Sequence, residues 1–528
     1  MKKFNTTAVC IPSKHYMVDL TERVREIKKM VDDGKYFVIN RARQYGKTTT
    51  LNWLRGYLAD EYDVISLDFQ GIGNAGFESE QSFVKAFCRL LKRIPSVYSM
   101  MPDEIKKQLN NYLDRVEEKA GLDELFMTLN DWCAISDKPI VMMIDEVDSA
   151  ANNQVFLDFL SQLRAGYIIR TTEDIATFQS VILAGVADIK HLKSSIRDES
   201  QHKVNSPWNI AADYNIDMSL SKEGIRGMLD EYEADHQTGM NTGEIAGLIR
   251  DYTNGYPFLV SRICQLIDTE VSKQTGLPEA WTKGGFDEAV KMILNENNTL
   301  FQSLIGKLEN YPELKASIRK ILMEGERLPF NTDQDEIAQM YLYGFIRNDN
   351  GTARIDNRIF ETRLYNYYLS DDEMKNNIFT REGQLAANQF VTDNKLNMVL
   401  IMERFINTYT QVFGPLEDKF KEKDGRELFL LYLRPIINGT GNYYIEAQTR
   451  DQTRTDVIID YLGKQYIIEL KIWHGERYHE AGEKQISEYL DHFSLNTGYM
   501  LSFNFNKKKE PGVKRVQLGE KVLFEGTI

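Results

Sequence analysis

The stretch Arg41-Ala42-Arg43-Gln44-Tyr45-Gly46-Lys47-Thr48-Thr49 gathers residue types that can hold a polyphosphate. A glycine lets the backbone approach closely, a lysine neutralises two phosphates, and a hydroxyl offers an oxygen to Mg²⁺; Gly46, Lys47 and Thr48 stand in that order. Backbone N–H groups of Arg43, Gln44, Tyr45 and Gly46, with Lys47, Thr48 and Thr49 opening a helix, would surround the phosphates with partial positive charge. The full pattern G-x-x-x-x-G-K-[ST] starts with another glycine, and Arg41 takes that place. A side chain there must point away from the turn, so the departure alters the mouth of the loop and spares the parts that touch phosphate.

Downstream, the run Ile140 to Ile144 is continuously apolar and ends in Asp145 and Glu146. A buried strand delivering two carboxylates at its C-terminal end puts them where ligands bind in parallel α/β sheets. Asp145 is expected to hold Mg²⁺ together with Thr48, and Glu146 to orient and deprotonate an attacking water. The later run in "VILAGVADIK" reads as a plain buried strand in which only Asp188 could sense a γ-phosphate, and Arg197 reads as a surface arginine in preference to an arginine finger.

A second constellation lies in "TDVIIDYLGKQYIIELK". Two strand runs flank "LGKQ", and a hairpin centred between Gly463 and Lys464 sets Asp456 opposite Lys471. Glu469 and Lys471, two apart on one strand, project from the same face. Asp456 and Glu469 can share a divalent metal, Mg²⁺ or Mn²⁺, while Lys471 positions water or stabilises charge on a phosphate. The competing reading is an exposed cross-strand ion pair of little energetic weight. His474, His479 and His492 read as surface histidines, because no cysteine is near them.

Positioning these groups requires particular elements. Apolar runs alternating with amphipathic helices up to about residue 215 predict a mainly parallel sheet covered on both faces. Leu51, Leu54 and Leu58 share one face of the helix that begins at Lys47. A helical region follows, broken by Asn254, Gly255 and Pro257. Two further helices precede Asn350-Gly351, a hairpin signal between short extended runs, and together they outline a winged helix. Its second helix would carry Asp333, Asp335 and Glu336 with no lysine or arginine, which repels phosphate and favours a protein-facing or interdomain role. Arg347, Arg354 and Arg358 on the wing could make only a weak nucleic-acid contact.

The chain has 528 residues, with 64 Lys and Arg against 78 Asp and Glu, a formal net charge of -14. That balance excludes wholesale electrostatic attraction to nucleic acid or anionic membrane and leaves local patches only. Cys10, Cys88, Cys133 and Cys264 are scattered, arguing against a zinc site or a disulfide framework. No run of about 18 apolar residues occurs, so no membrane partner and a cytoplasmic location are expected.

The motifs "KHYMVD", "INRARQYGKTTTL", "MMIDEVD", "SPWNIA" and "YTNGYPFLVSRIC" together resemble the AAA-like ATPases related to the STAND signalling NTPases, over about residues 1 to 370. In those relatives an R-x-R-x-x-G-K-[ST] variant often replaces the first glycine, matching Arg41, Arg43, Gly46, Lys47 and Thr48. The resemblance implies ATP binding and places "NGYPF" in a helical lid beside the nucleotide. The last ~110 residues resemble the PD-(D/E)XK nuclease superfamily, with Thr455 where the named proline stands, and the resemblance implies Glu427 as a third metal ligand and Gln485 and Tyr489 as a Q-x-x-x-Y pair.

The expectation is therefore a multidomain α/β protein: an AAA-like P-loop NTPase parallel sheet (1–215), a helical lid (216–295), a winged helix (296–371), a helical linker (372–416) and a restriction-endonuclease-like α/β domain (417–528). Its ATP state would control a metal-dependent effector that cleaves DNA or RNA, with a protein partner at the winged helix and oligomerisation left open. Two alternatives stand beside it: an ATP-dependent signalling switch whose nuclease fold is inert, and a nucleic-acid-binding regulator built on the winged helix.

Overall fold

The structure is a computed structural model describing residues 2–114, 121–151, 153–186, 208, 210–212, 214, 216–324, 326–370, 378–386, 389–392, 395–413, 422–437, 441–446, 455–461, 464–472, 483, 486–487, 490–491, 495–504 and 510–528. The chain forms two compact units. The first comprises Met1–Gln237, Gly255–Gln265 and Tyr341–Gly344, and the second Thr238–Asn254, Leu266–Met340 and Phe345–Ile528.

In the first unit a four-stranded, wholly parallel sheet is built from β1 (Phe37–Asn40), β2 (Asp63–Asp68), β3 (Ile140–Asp145) and β4 (Ser180–Gly185), in the spatial order β1-β4-β3-β2. The inner strand β3 is buried on both faces along its whole length, which is why it is apolar without alternation, whereas the edge strand β2 is only half-buried. Val141 and Met143 pack with α1 (Thr21–Asp32) and α2 (Lys47–Leu58). Met142 and Ile144 pack on the other side with α3 (Glu80–Arg93), α4 (Leu122–Ile135) and α5 (Gln154–Glu173). Leu51, Leu54 and Leu58 form the buried stripe of α2, as their spacing predicts.

Local signals set the helix ends. Ser79 caps α3, and Ser221 caps α6 (Lys222–His236), by accepting from backbone N–H groups three residues on. Asn241 caps α7 (Thr242–Thr253) in the same way, and Pro257 opens α8 (Pro257–Leu266), where its missing N–H costs nothing.

In the second unit, Thr282 caps α9 (Lys283–Asn295). Beyond it stand α10 (Pro312–Arg319), α11 (Asp335–Leu342) and an antiparallel hairpin of β5 (Ile346–Asp349) and β6 (Thr352–Ile355). Asn350 and Gly351 both have positive φ, 50° and 84°, the conformation a two-residue hairpin turn requires. Arg347 donates to the carbonyls of Ile355 and Asp356, Arg354 pairs with Asp349 at 2.8 Å, and the Arg358 guanidinium lies over the Tyr252 ring. Arg347 and Arg354 lie on the hairpin as expected, whereas Arg358 opens the helix Arg358–Leu369 and stands outside it, and each of the three makes the contact named here within its own unit.

The helix α12 (Glu422–Ile437) leads into a six-stranded sheet of β7 (Gly441–Glu446), β8 (Thr455–Tyr461), β9 (Lys464–Ile472), β10 (Thr497–Phe503), β11 (Gly512–Leu518) and β12 (Lys521–Thr527). Their order is β7-β8-β9-β10-β12-β11, with β9-β10 and β10-β12 parallel and the other pairs antiparallel. The sequence-based hairpin register needs correction. Tyr461 pairs with Lys464 and Val457 with Ile468, so one further step sets the backbone of Asp456 opposite Glu469, not Lys471. A slip of two residues keeps every side chain on its own face, so alternation of apolar residues cannot distinguish the two registers.

Candidate functional site

The C-terminal edge of the parallel sheet brings together groups distant in sequence. Asn40 pairs with Gly185 and Asp68 with Asp145, so β1, β4, β3 and β2 end side by side. The loop from Arg41 to Gly46 rises from β1 and turns into α2 through two residues of positive φ, Gln44 at 58° and Gly46 at 80°. Arg41 is not among them, so its replacement of glycine carries no backbone strain. Its guanidinium leaves the loop, donating to the carbonyls of Asn40 (2.8 Å) and Ile216 (3.2 Å).

Lys47 is 6% exposed, and its ammonium donates to the carbonyls of Arg41 (2.8 Å) and Ala42 (3.0 Å). Burial pushes the Lys47 ammonium below the usual lysine range, opposed by the charges of Asp148, Glu146 and Asp145. A buried cation among carbonyls and facing acids is poised to exchange them for phosphate oxygens. Beside it the Thr48 hydroxyl donates to Asp145 Oδ2 over 2.5 Å, and Asp145 Oδ1 accepts from the Glu146 N–H at 2.9 Å. Asp145, also 6% exposed, has its carboxyl raised by burial, partly offset by these two donors. Glu146 is raised by burial and by the charge of Asp145, and its backbone sits in the left-handed region at φ 54°. A hydroxyl and a carboxylate already in contact form an oxygen donor set that fits Mg²⁺ alongside phosphate. A half-buried glutamate of raised pKa next to them suits proton abstraction from water.

Of the remaining loop residues, Arg43 is exposed and its carbonyl accepts from the Tyr256 hydroxyl. The Tyr45 ring meets the Tyr256 ring edge-on at 4.7 Å. Thr49 turns its hydroxyl to the Cys10 N–H, 3.2 Å away, so it supports the N-terminal segment. The motif "NGYPF" comes to the loop through Tyr256 and Pro257; a Cβ on Gly46 would meet Pro257 Cγ at 3.7 Å. Asp148 was not singled out from sequence, although it is the third acid of "DEVD". Both its carboxylate oxygens accept from the Val186 N–H, at 2.7 and 2.8 Å, tying the turn after β3 to the end of β4. Asp188 and Arg197 lie outside the described residues.

In the second unit, Glu469 and Lys471 sit on β9 with the Lys471 ammonium 3.4 Å from Glu469 Oε1. Glu469 is 1% exposed, and a carboxylate so deep requires a cation near it. Glu427 projects from α12 and accepts from the Arg319 guanidinium of α10 at 3.2 Å. Asp456 is described on β8 by its backbone position alone, while Gln485, Tyr489, His474, His479 and His492 lie outside the described residues. Among the described residues no group of three or more His, Cys, Asp or Glu side chains is placed to hold a metal ion, and no helix is long and apolar enough to cross a membrane. The buried Glu469 beside Lys471 remains a donor pair of the type a divalent metal and a phosphate require.

Residues 4–371 match the AAA-like domain family and residues 441–516 match the PD-(D/E)XK nuclease superfamily. An uncharacterized WD repeat-containing protein of Synechocystis sp. is 24% identical over 271 residues, covering 50% of this chain and 21% of that protein, so the chain spans about a fifth of this relative. Among solved structures, a Walker-type ATPase of Pyrococcus abyssi is similar at 15% identity over 68% of this chain and 99% of that one, with a TM-score of 0.45. Cdc6p of Pyrobaculum aerophilum is similar at 13% identity over 69% and 98% of the two chains, with a TM-score of 0.33. With its family match spanning the parallel sheet, the phosphate loop and the helices that follow, the chain belongs to the AAA-like domain family and carries behind it a domain of the PD-(D/E)XK nuclease superfamily.

Proposed function

We propose that the protein binds and hydrolyses ATP at the loop formed by Arg43, Gln44, Tyr45, Gly46, Lys47, Thr48 and Thr49, and that its nucleotide state controls a C-terminal metal-dependent nuclease. The observation that carries the first half is the contact of Thr48 with Asp145 beside the buried Lys47. Thr48 and Asp145 would hold Mg²⁺, which on binding neutralises phosphate charge. Lys47 binds the β- and γ-phosphates, and Glu146 orients water and takes its proton. In the second half, Asp456, Glu469 and Glu427 would supply oxygens to Mg²⁺ or Mn²⁺, and Lys471 would face the scissile phosphate of DNA or RNA. The domain limits that go with this reading are 1–215, 216–295, 296–371, 372–416 and 417–528, with the winged helix facing protein.

A second reading draws support from the cations already beside Glu427 and Glu469. In it the nuclease fold is inert and the protein is an ATP-dependent switch. The deciding experiment incubates native chain, Lys47→Ala and Lys471→Ala with plasmid and single-stranded substrates, Mg²⁺ or Mn²⁺, with and without ATP. Cleavage that needs Lys471, and that responds to ATP only when Lys47 is present, supports the nuclease; ATP binding without cleavage in any condition supports the switch.

A further inference from the structure

Why an arginine should replace the first glycine of a phosphate loop is answered by what lies behind the loop. The peptides of Arg41 and Ala42 have two sides. On one, their carbonyl oxygens receive the Lys47 ammonium at 2.8 and 3.0 Å. On the other, the Arg41 guanidinium carbon lies 5.8 Å from the centre of the Tyr214 ring and 6.0 Å from that of Tyr341. Ala42 is buried, and a Cβ on Gly344 would come within 2.7 Å of its methyl group, so only a glycine fits there. Gly344 also holds φ at +80°, which an L side chain resists.

Resting on the reading of the loop as an ATP site, we propose that Arg41 is a positioning residue that couples this site to Tyr341–Gly344, the end of α11 and the turn after it. These four residues belong to the first compact unit, yet Tyr341 and Leu342 are the last two of α11 and Gly344 leads on to β5, the helix and strand of the candidate winged helix. When phosphate oxygens take the Lys47 ammonium, the carbonyls of Arg41 and Ala42 lose their donor. A buried carbonyl left without a donor, as that of Ala42 would be, favours rotation of its peptide and of the half-buried one before it. Rotation displaces the Arg41 side chain and the Ala42 methyl, on which Tyr341 and Gly344 rest. By linkage, whatever shifts the turn must alter nucleotide affinity in return. A glycine at position 41 would offer neither guanidinium nor leverage.

Hydrogen exchange of the intact chain with and without Mg²⁺ and ATP tests this, alongside nucleotide binding by calorimetry, in the native chain, Arg41→Gly and Tyr341→Ala. Tyr341 is 38% exposed, so its truncation leaves the core intact even if Arg41→Gly folds poorly. In the native chain, ATP should change exchange in peptides covering residues 335–349. In Tyr341→Ala that response should disappear while ATP still binds, its Kd shifted about two- to fivefold, the size of one exposed cation–π contact. ATP binding with no response at 335–349 in the native chain, or with the same response in both variants, overturns the coupling and leaves the ATP site standing. Absence of ATP binding by the native chain overturns both.

Discussion

The Thr48 hydroxyl and Asp145 Oδ2 stand 2.5 Å apart although 97 residues separate them in the chain. One opens a helix and the other ends a strand. Their contact places a hydroxyl against a buried carboxylate whose ionised form burial disfavours. A divalent cation at this point would relieve that cost, so nucleotide affinity should depend on Mg²⁺ through Thr48. In Thr48→Ala the gain in ATP affinity on adding Mg²⁺ should fall by about tenfold or more, a loss typical of a charged hydrogen-bonding partner. Titrations with ATP in Mg²⁺ and in EDTA check this.

Lys47→Ala should weaken ATP binding by about tenfold or more while lowering the melting temperature by a few degrees at most. Burial disfavours the charge of the ammonium, which offsets part of the loss of its donations to the Arg41 and Ala42 carbonyls. Calorimetry with ATP and a thermal melt without it separate the two effects; a collapsed melt would show that Lys47 is structural.

Glu146→Gln should leave ATP binding within about threefold while lowering hydrolysis ~100-fold or more, the scale of a lost general base. The amide keeps the size of the side chain and removes only its basicity. Single-turnover hydrolysis, measured beside the binding constant, tests the assignment.

Burial and the charge of Asp460 push Asp287 from 3.8 to about 6, with Lys283 and Lys291 opposing. Its native pKa lies above its unfolded value, so between pH ~4 and ~6 the native state holds the extra proton and stability falls as pH rises through that window. Asp287→Asn should therefore raise the melting temperature at pH 7.5 and leave it nearly unchanged at pH 4. Equal effects at both values would assign the change to packing.

Lys471→Ala should abolish any Mg²⁺- or Mn²⁺-dependent cleavage while ATP binding is retained, because the two groups lie in different compact units. It should also leave the buried Glu469 without the cation 3.4 Å from it, lowering thermal stability. Lys471→Arg separates the losses, restoring the charge without the same reach. Cleavage that survives Lys471→Ala would exclude the assignment.

Parts of this architecture were legible because short-range physics writes them into the chain. The unbroken apolar run before Asp145 announces a strand covered on both faces. Leu51, Leu54 and Leu58 announce the buried stripe of α2, and Asn350-Gly351 announces its hairpin. Gly46, Lys47 and Thr48 name their chemistry by type and spacing. The hairpin before Glu469 was legible as a hairpin but not in register, since a two-residue slip leaves the alternation of faces unchanged.

The sequence by itself determined which residues can do chemistry and which face of each element is apolar, because both depend on side-chain type and on periods of 2 and 3.6 residues. Only the tertiary structure decided their companions. That Asp148 holds the Val186 N–H, that Thr49 serves Cys10, that Tyr256 reads the Arg43 carbonyl and that Arg41 reaches toward Tyr341 are contacts across long separations. Such contacts follow from how sheet and helices pack, and a burial pattern along one segment carries no information about which distant segment completes it.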